Sequence, residues 1–205
     1  VLAVDFTPDC QGIVQAGVNH VKFHQLRGRN IVTKKGLLGK KGKLQPLLTI
    51  GWSGNTPVIG TVDGHMYRFE GRQLKQSVQA HTGSVTAMHT CSEGLCTGGK
   101  DGKVKLWSTN LDCKAEFDVN ALGTSFSPRV RSVCWDPAEN KILVGTRGSE
   151  IFEMSASDGS GINPKGGNDP LLQGHFAHEL WGLATHPMRS EFCTVGDDMT
   201  VRVWD

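Results

Sequence analysis

The feature that most constrains this chain is a unit that returns along it. Residues 81–107, HTGSVTAMHTCSEGLCTGGKDGKVKLW, are its most complete copy. Val85, Ala87 and His89 alternate there with Ser84, Thr86 and Met88. Residues 95–98 form a second short strand, and residues 103–107 a third, with Val104 and Leu106 on one face and Trp107 on the other. Gly94 and the Asp101-Gly102 pair mark the turns between them. A meander of this kind brings four polar residues together: His81 before the first strand, Thr97 on the second, Asp101 in a turn and Trp107 on the third. The indole N–H then donates to the Thr97 hydroxyl, Thr97 meets His81, and His81 donates to the Asp101 carboxylate, stapling the sheet.

The same order returns at the far end as Gly174-His175, Thr194, Asp198 and Trp204. Thr97 and Thr194 each precede their tryptophan by ten residues, and Asp101 and Asp198 by six. A histidine opening, a hydroxyl, a turn aspartate and a closing tryptophan, repeated with a period of about 40–45 residues, is the WD-repeat signature. The chain resembles a WD40 β-propeller, and the fold expected is all-β, with about five four-stranded antiparallel blades. These span residues 1–35, 44–80, 81–120, 128–174 and 175–205, the last without an outer strand. Twenty-six glycines in 205 residues suit many tight turns and argue against long helices. A seven-bladed ring needs about 300 residues, so the chain is expected to be part of a larger propeller unit and to pack against other blades of it.

The remaining blades depart from the signature. The first, VLAVDFTP, QGIVQAG and HVKFHQL, has Asn19 in place of the turn aspartate and His24 near the closing tryptophan position. The second has Asp63 six residues before Phe69, with Ile59 where the hydroxyl belongs. The fourth has Gly148 and Met154 at the aspartate and tryptophan positions, keeping the apolar alternation and losing the staple. Since each blade lies between two others, Ile142, Val144, Ile151, Val201 and Val203 are expected in the core. The Gly/Ser/Asn-rich run 155–169 reads as a partner-facing loop, with Lys165 a rim charge apart from the basic segment described next.

The net charge of +2 hides a dipole, for no acidic residue occurs from Cys10 through Val62. That stretch carries Lys22, Arg27, Arg29, Lys34, Lys35, Lys40, Lys41 and Lys43, and the rest of the chain sums to −6. The run from Arg27 to Lys43 reads either as a solvated loop or as a docking surface for an acidic partner. Nucleic acid is disfavoured because interleaved aromatics and binding motifs are lacking. No signal-peptide pattern and no run of about 18 apolar residues appears, so no membrane span is expected. The six cysteines have no CxxC spacing; they read as small buried hydrophobes of a reducing compartment, with a disulfide framework or a zinc site on His89, Cys91 and Cys96 as alternatives. His81, Thr97 and Asp101 have the composition of a nucleophilic triad, but a tryptophan donates to the hydroxyl and no glycine elbow surrounds it. No catalytic, cofactor or metal residue is assigned.

Longer matches narrow the resemblance. GVNHVKFHQL, KKGLLGKKGKLQPLL, the passage from SPRVRSVCW to ILVGTRGSEIFEM, and above all HELWGLATHP at residues 178–187 are similar to the echinoderm microtubule-associated protein-like family, with its long multi-propeller members nearest. His24 departs from the family pattern, which has tryptophan there. The resemblance implies a non-catalytic, cytoplasmic scaffold of the cytoskeleton that binds tubulin or microtubules, with the basic run facing tubulin's acidic surface. A general WD-repeat adaptor, such as a substrate-recognition subunit, is the alternative, and a propeller enzyme the third reading.

Overall fold

The alternation in the sequence becomes antiparallel meanders in a computed structural model, which describes residues 1–92, 94–123, 127–164, 166–176 and 178–205. Lys165 lies outside the described residues. Blade 1 comprises β1 (Ala3–Phe6), β2 (Gly12–Ala16), β3 (Val21–Arg27) and β4 (Asn30–Lys35). Blade 2 comprises β5 (Leu47–Ser53), β6 (Thr56–Thr61), β7 (His65–Glu70) and β8 (Gln73–Gln79). Blade 3 comprises β9 (Val85–Cys91), β10 (Gly94–Gly99), β11 (Lys103–Ser108) and β12 (Cys113–Asp118). Blade 4 comprises β13 (Val130–Trp135), β14 (Lys141–Thr146), β15 (Glu150–Ser155) and a two-residue outer strand, β16 (Leu172–Gln173). Blade 5 has three strands, β17 (Leu180–Thr185), β18 (Phe192–Gly196) and β19 (Val201–Trp204). The helical element described is one 3-10 turn, Val119–Leu122, and no helix among the described residues is long and apolar enough to cross a membrane.

Three apolar cores lie between successive sheets. Val14, Val21, Ile50, Ile59 and Phe69 join blades 1 and 2; Val58, Met66, Val85, Leu95 and Trp107 join blades 2 and 3; Val104, Val133, Trp135, Ile142, Val144 and Phe152 join blades 3 and 4. Each sheet thus buries both faces only where it has a neighbour on both sides, which removes its apolar residues from water at about 25 cal/mol per Å². Gly98 permits a close approach of blade 4: a Cβ there would lie 2.3 Å from the Val130 Cγ1. Gly102, at φ +78°, closes the β10–β11 turn in the left-handed region that glycine adopts without a steric cost.

Two expectations need correction. Ile142 and Val144 are fully buried, but Ile151 is 40% exposed and Val201 and Val203 are each 69% exposed, because no fourth apolar core joins blades 4 and 5 among the described residues. The basic run is not one loop. Its first part is β4, and its second part, residues 36–44, lies along the outer strand of blade 2. There Leu37 exchanges backbone hydrogen bonds with Arg72 and Leu74, and Leu38 packs on the core between blades 1 and 2.

Candidate functional site

In blade 3 the four staple residues form one chain of hydrogen bonds. Trp107 Nε1 donates to Thr97 Oγ1 at 2.9 Å, Thr97 Oγ1 lies 2.9 Å from His81 Nε2, and His81 Nδ1 lies 3.0 Å from an Asp101 carboxylate oxygen. Asp101 also accepts from the backbone N–H groups of Thr82 and Lys103. The ionised Asp101 can only accept, so the neutral His81 carries its proton on Nδ1, and its Nε2 accepts from the Thr97 hydroxyl, whose oxygen accepts from the indole N–H. Burial, which disfavours the charged ring, outweighs the attraction of Asp101 and depresses the His81 pKa. Thr97 is completely buried. The Thr97 hydroxyl is thus enclosed and hydrogen-bonded on both sides, to Trp107 and to His81, tying the strands of the blade together.

Blade 5 repeats the arrangement through Trp204, Thr194, His175 and Asp198 at 2.8, 2.8 and 2.9 Å. The other blades replace it locally. In blade 2, Thr61 Oγ1 donates to Asp63 Oδ1 at 2.6 Å, and Asp63 lies 3.0 Å from His65 Nδ1. Blade 4 lacks the four-residue staple, as expected, but has a different polar pair: the buried Thr146 hydroxyl bonds the buried Glu150 carboxylate and accepts from the Gly148 N–H. Strand register explains the substitution, since Thr61 and Thr146 occupy the position of Gly99, two residues beyond Thr97, and reach across a single turn. In blade 1, His24 links Gln15 and Thr33, and Gln15 continues to His20.

All seven basic residues singled out in the sequence are exposed, but they do not form one patch. Arg27 and Arg29 flank the β3–β4 turn. Lys34 and Lys35 are neighbours in β4 and so point to opposite faces, Lys34 paired with Phe23 and Lys35 with Lys22. Lys40, Lys41 and Lys43 lie on the outer edge of blade 2; Lys41 Nζ donates to the Lys75 carbonyl, and the Lys43 N–H donates to the Tyr67 hydroxyl. This docking adds exposed Arg72 and Lys75 to the same edge. Beside it a cavity of about 590 Å³ opens between His20, Val21, Leu37, Leu38, Leu44 and Leu47.

A second basic group was not singled out from the sequence. Lys100, Arg129, Arg131 and Arg147 line a cavity of about 280 Å³ whose apolar wall includes Leu48 and Val130. These cations come from turns and strand starts far apart in the chain, so no local charge run announces them. Of the zinc alternative, Cys91 Sγ lies 3.9 Å from His89 Nδ1, and no metal-holding cluster occurs among the described residues. All six cysteines are free, but against expectation only Cys96 is buried, while Cys10, Cys113 and Cys134 are exposed; partial burial pushes the Cys91 thiol up to about 11.

A family model described as "WD domain, G-beta repeat" matches residues 72–108 and 169–205. Over its whole length the chain is 33% identical to echinoderm microtubule-associated protein-like 2 of Mus musculus and 33% identical to the 77 kDa echinoderm microtubule-associated protein of Lytechinus variegatus. It is 30% identical to echinoderm microtubule-associated protein-like 4 of Homo sapiens. The chain spans 30%, 30% and 21% of the lengths of these relatives. A chain in the solved structure titled "Crystal Structure of Mitotic Checkpoint Complex" aligns with 98% of this chain and 59% of its own length at a TM-score of 0.63; at 17% identity that likeness shows the fold alone. The chain is therefore a run of WD-repeat propeller blades whose relatives along its whole length are echinoderm microtubule-associated protein-like proteins.

Proposed function

We propose that these blades serve a non-catalytic scaffold of the cytoskeleton that binds tubulin or microtubules, with the basic outer edge of blades 1 and 2 as a contact surface. The observation that carries this reading is the docking of residues 36–44 on β8, which sets exposed Lys40, Lys41 and Lys43 beside Arg72 and Lys75. Lys34 and Lys35 extend the positive surface to the two faces of β4. An acidic protein surface is attracted to such an edge, chiefly through a faster encounter. The names of the relatives point to microtubules as the structure that presents it.

The test is co-sedimentation with microtubules across a salt series. Replacing Lys34, Lys35, Lys40, Lys41 and Lys43 by glutamate is expected to weaken binding sharply, slow association and flatten the salt dependence, since exposed charges are screened over about 8 Å at physiological salt. Unchanged binding with an unchanged salt slope would move the contact elsewhere, with the 155–169 loop next. Binding that never responds to salt would favour the general adaptor reading.

A further inference from the structure

Blades 2 to 5 share a device that the repeat signature does not contain. In each, the pairing of the first strand with the second skips one residue: Leu48 in blade 2, Thr86 in blade 3, Arg131 in blade 4 and Trp181 in blade 5. A β-bulge re-aims the side chain of the extra residue. Leu48, Thr86 and Arg131 all line the 280 Å³ cavity, so the bulges of three adjacent sheets furnish one site. Equivalent backbone bonds fix two further positions. The N–H of Val62, Lys100, Arg147 and Asp197 donates to the carbonyl of Pro46, Ser84, Arg129 and Glu179 respectively. The cations at these positions belong to blades 3 and 4, while blade 2 is uncharged and blade 5 acidic there. The fold therefore does not require them.

Among the described residues no carboxylate pairs with this group. Among the described residues none of the four side chains makes an ion pair, and all four are exposed. The acids nearest in sequence serve other partners: Asp101 holds His81, and Glu150 accepts from Thr146. Asp197 in blade 5 accepts from its own Trp181 indole. The hydroxyls at the site offer no proton either, since Ser84 donates to the Val62 carbonyl and Thr86 to the carbonyls of Gly98 and Val130. The turn amides of Lys100, Arg147 and Gly148 are likewise bonded to carbonyls and so are not free to cradle a lone phosphate.

We propose that this mouth, formed by Lys100, Arg129, Arg131 and Arg147 over Leu48 and Val130, binds an extended acidic peptide through its carboxylate side chains. Cations spread over four backbone positions in two blades match a row of carboxylates better than one point charge, and each arginine presents a fork that fits a carboxylate. The apolar wall takes the methylenes of glutamate. This site is separate from the basic outer edge, and its ligand chemistry holds whichever protein carries the peptide.

A fluorescent hexaglutamate peptide titrated against the full chain tests it by anisotropy, with a phosphoserine peptide of neutral sequence and inorganic phosphate as competitors. Hexaglutamate should bind, and Arg131→Glu and Arg147→Glu should each weaken it at least tenfold. Arg189→Glu, the same charge change in the β17–β18 loop, should leave it within twofold, and the melting curves should overlay. Equal binding by wild type and Arg131→Glu would overturn the proposal. So would displacement of hexaglutamate by phosphate or the phosphoserine peptide at lower concentration than by unlabelled hexaglutamate. Because microtubules are absent from this assay, its outcome is independent of co-sedimentation.

Discussion

Blades 3 and 5 carry the same four polar residues at the same spacings, with hydrogen bonds that differ by about 0.1 Å, yet their surroundings differ sharply. In blade 3 the bracket lies between two neighbouring sheets, and His81, Thr97 and Trp107 are buried. In blade 5 the sheet faces are open and Trp204 is half-buried, stacking on Phe192 at 6.2 Å between ring centroids, while the Thr194 it donates to stays buried. The geometry of the bracket is thus a property of one sheet, and its energetic weight is a property of the packing around it. A hydrogen bond lost in a dry site leaves a partner without water, whereas one lost near solvent is replaced.

The largest effect that tests this contrast is Asp101→Ala. It strips partners from the His81 Nδ1–H and from the N–H groups of Thr82 and Lys103, and should cost about 3 kcal/mol in denaturant melting. A loss below about 1 kcal/mol would mean that water reaches the bracket. Next comes Trp107→Phe, which keeps the ring and removes the N–H; the expected loss is about 1–3 kcal/mol. Trp204→Phe makes the same deletion where the indole is only half-buried, although Thr194 is buried, and should cost less than Trp107→Phe, about 1 kcal/mol. Equal losses at the two tryptophans would break the comparison.

Smaller still is the pH dependence of blade 3. Because burial holds the folded pKa of His81 below the ordinary 6.5, the unfolded chain takes up this proton more readily. Stability from this group is complete above pH 6.5 and declines as pH falls toward the folded value. Burial alone would raise the Asp101 carboxyl, but His81 and the N–H groups of Thr82 and Lys103 outweigh it and hold it below 3.8. Its contribution is therefore kept down to pH 3.8 and lost in more acid solution. Denaturant midpoints between pH 7 and 5 should fall for the wild type and fall less for His81→Gln. A rise over that range would show a charged His81 stabilised by Asp101.

The spacing of ten and six residues made both brackets legible in the sequence, because a threonine, a turn and a tryptophan on adjacent strands meet through local geometry alone. The alternation and turn residues likewise located the meanders. Other features depend on contacts that no fixed spacing records. Thr146 and Glu150 replace the bracket of blade 4 two residues away from the repeat positions, which a search at fixed spacing passes over. Residues 36–44 look like a solvated basic run because their partners, Arg72, Leu74 and Lys75, lie more than 30 residues later.

By itself, then, the amino-acid order determined the strands, the turns and the hydrogen-bonded staples, all of which close within one meander. Only the tertiary structure decided which apolar faces are buried, for Val144 and Val203 read alike in sequence yet one is sealed against blade 3 and the other meets water. It also gathered Lys100, Arg129, Arg131 and Arg147 at one mouth. Burial and charge clustering depend on which sheets stand side by side, and that relation joins residues too distant in the chain for any periodicity to record.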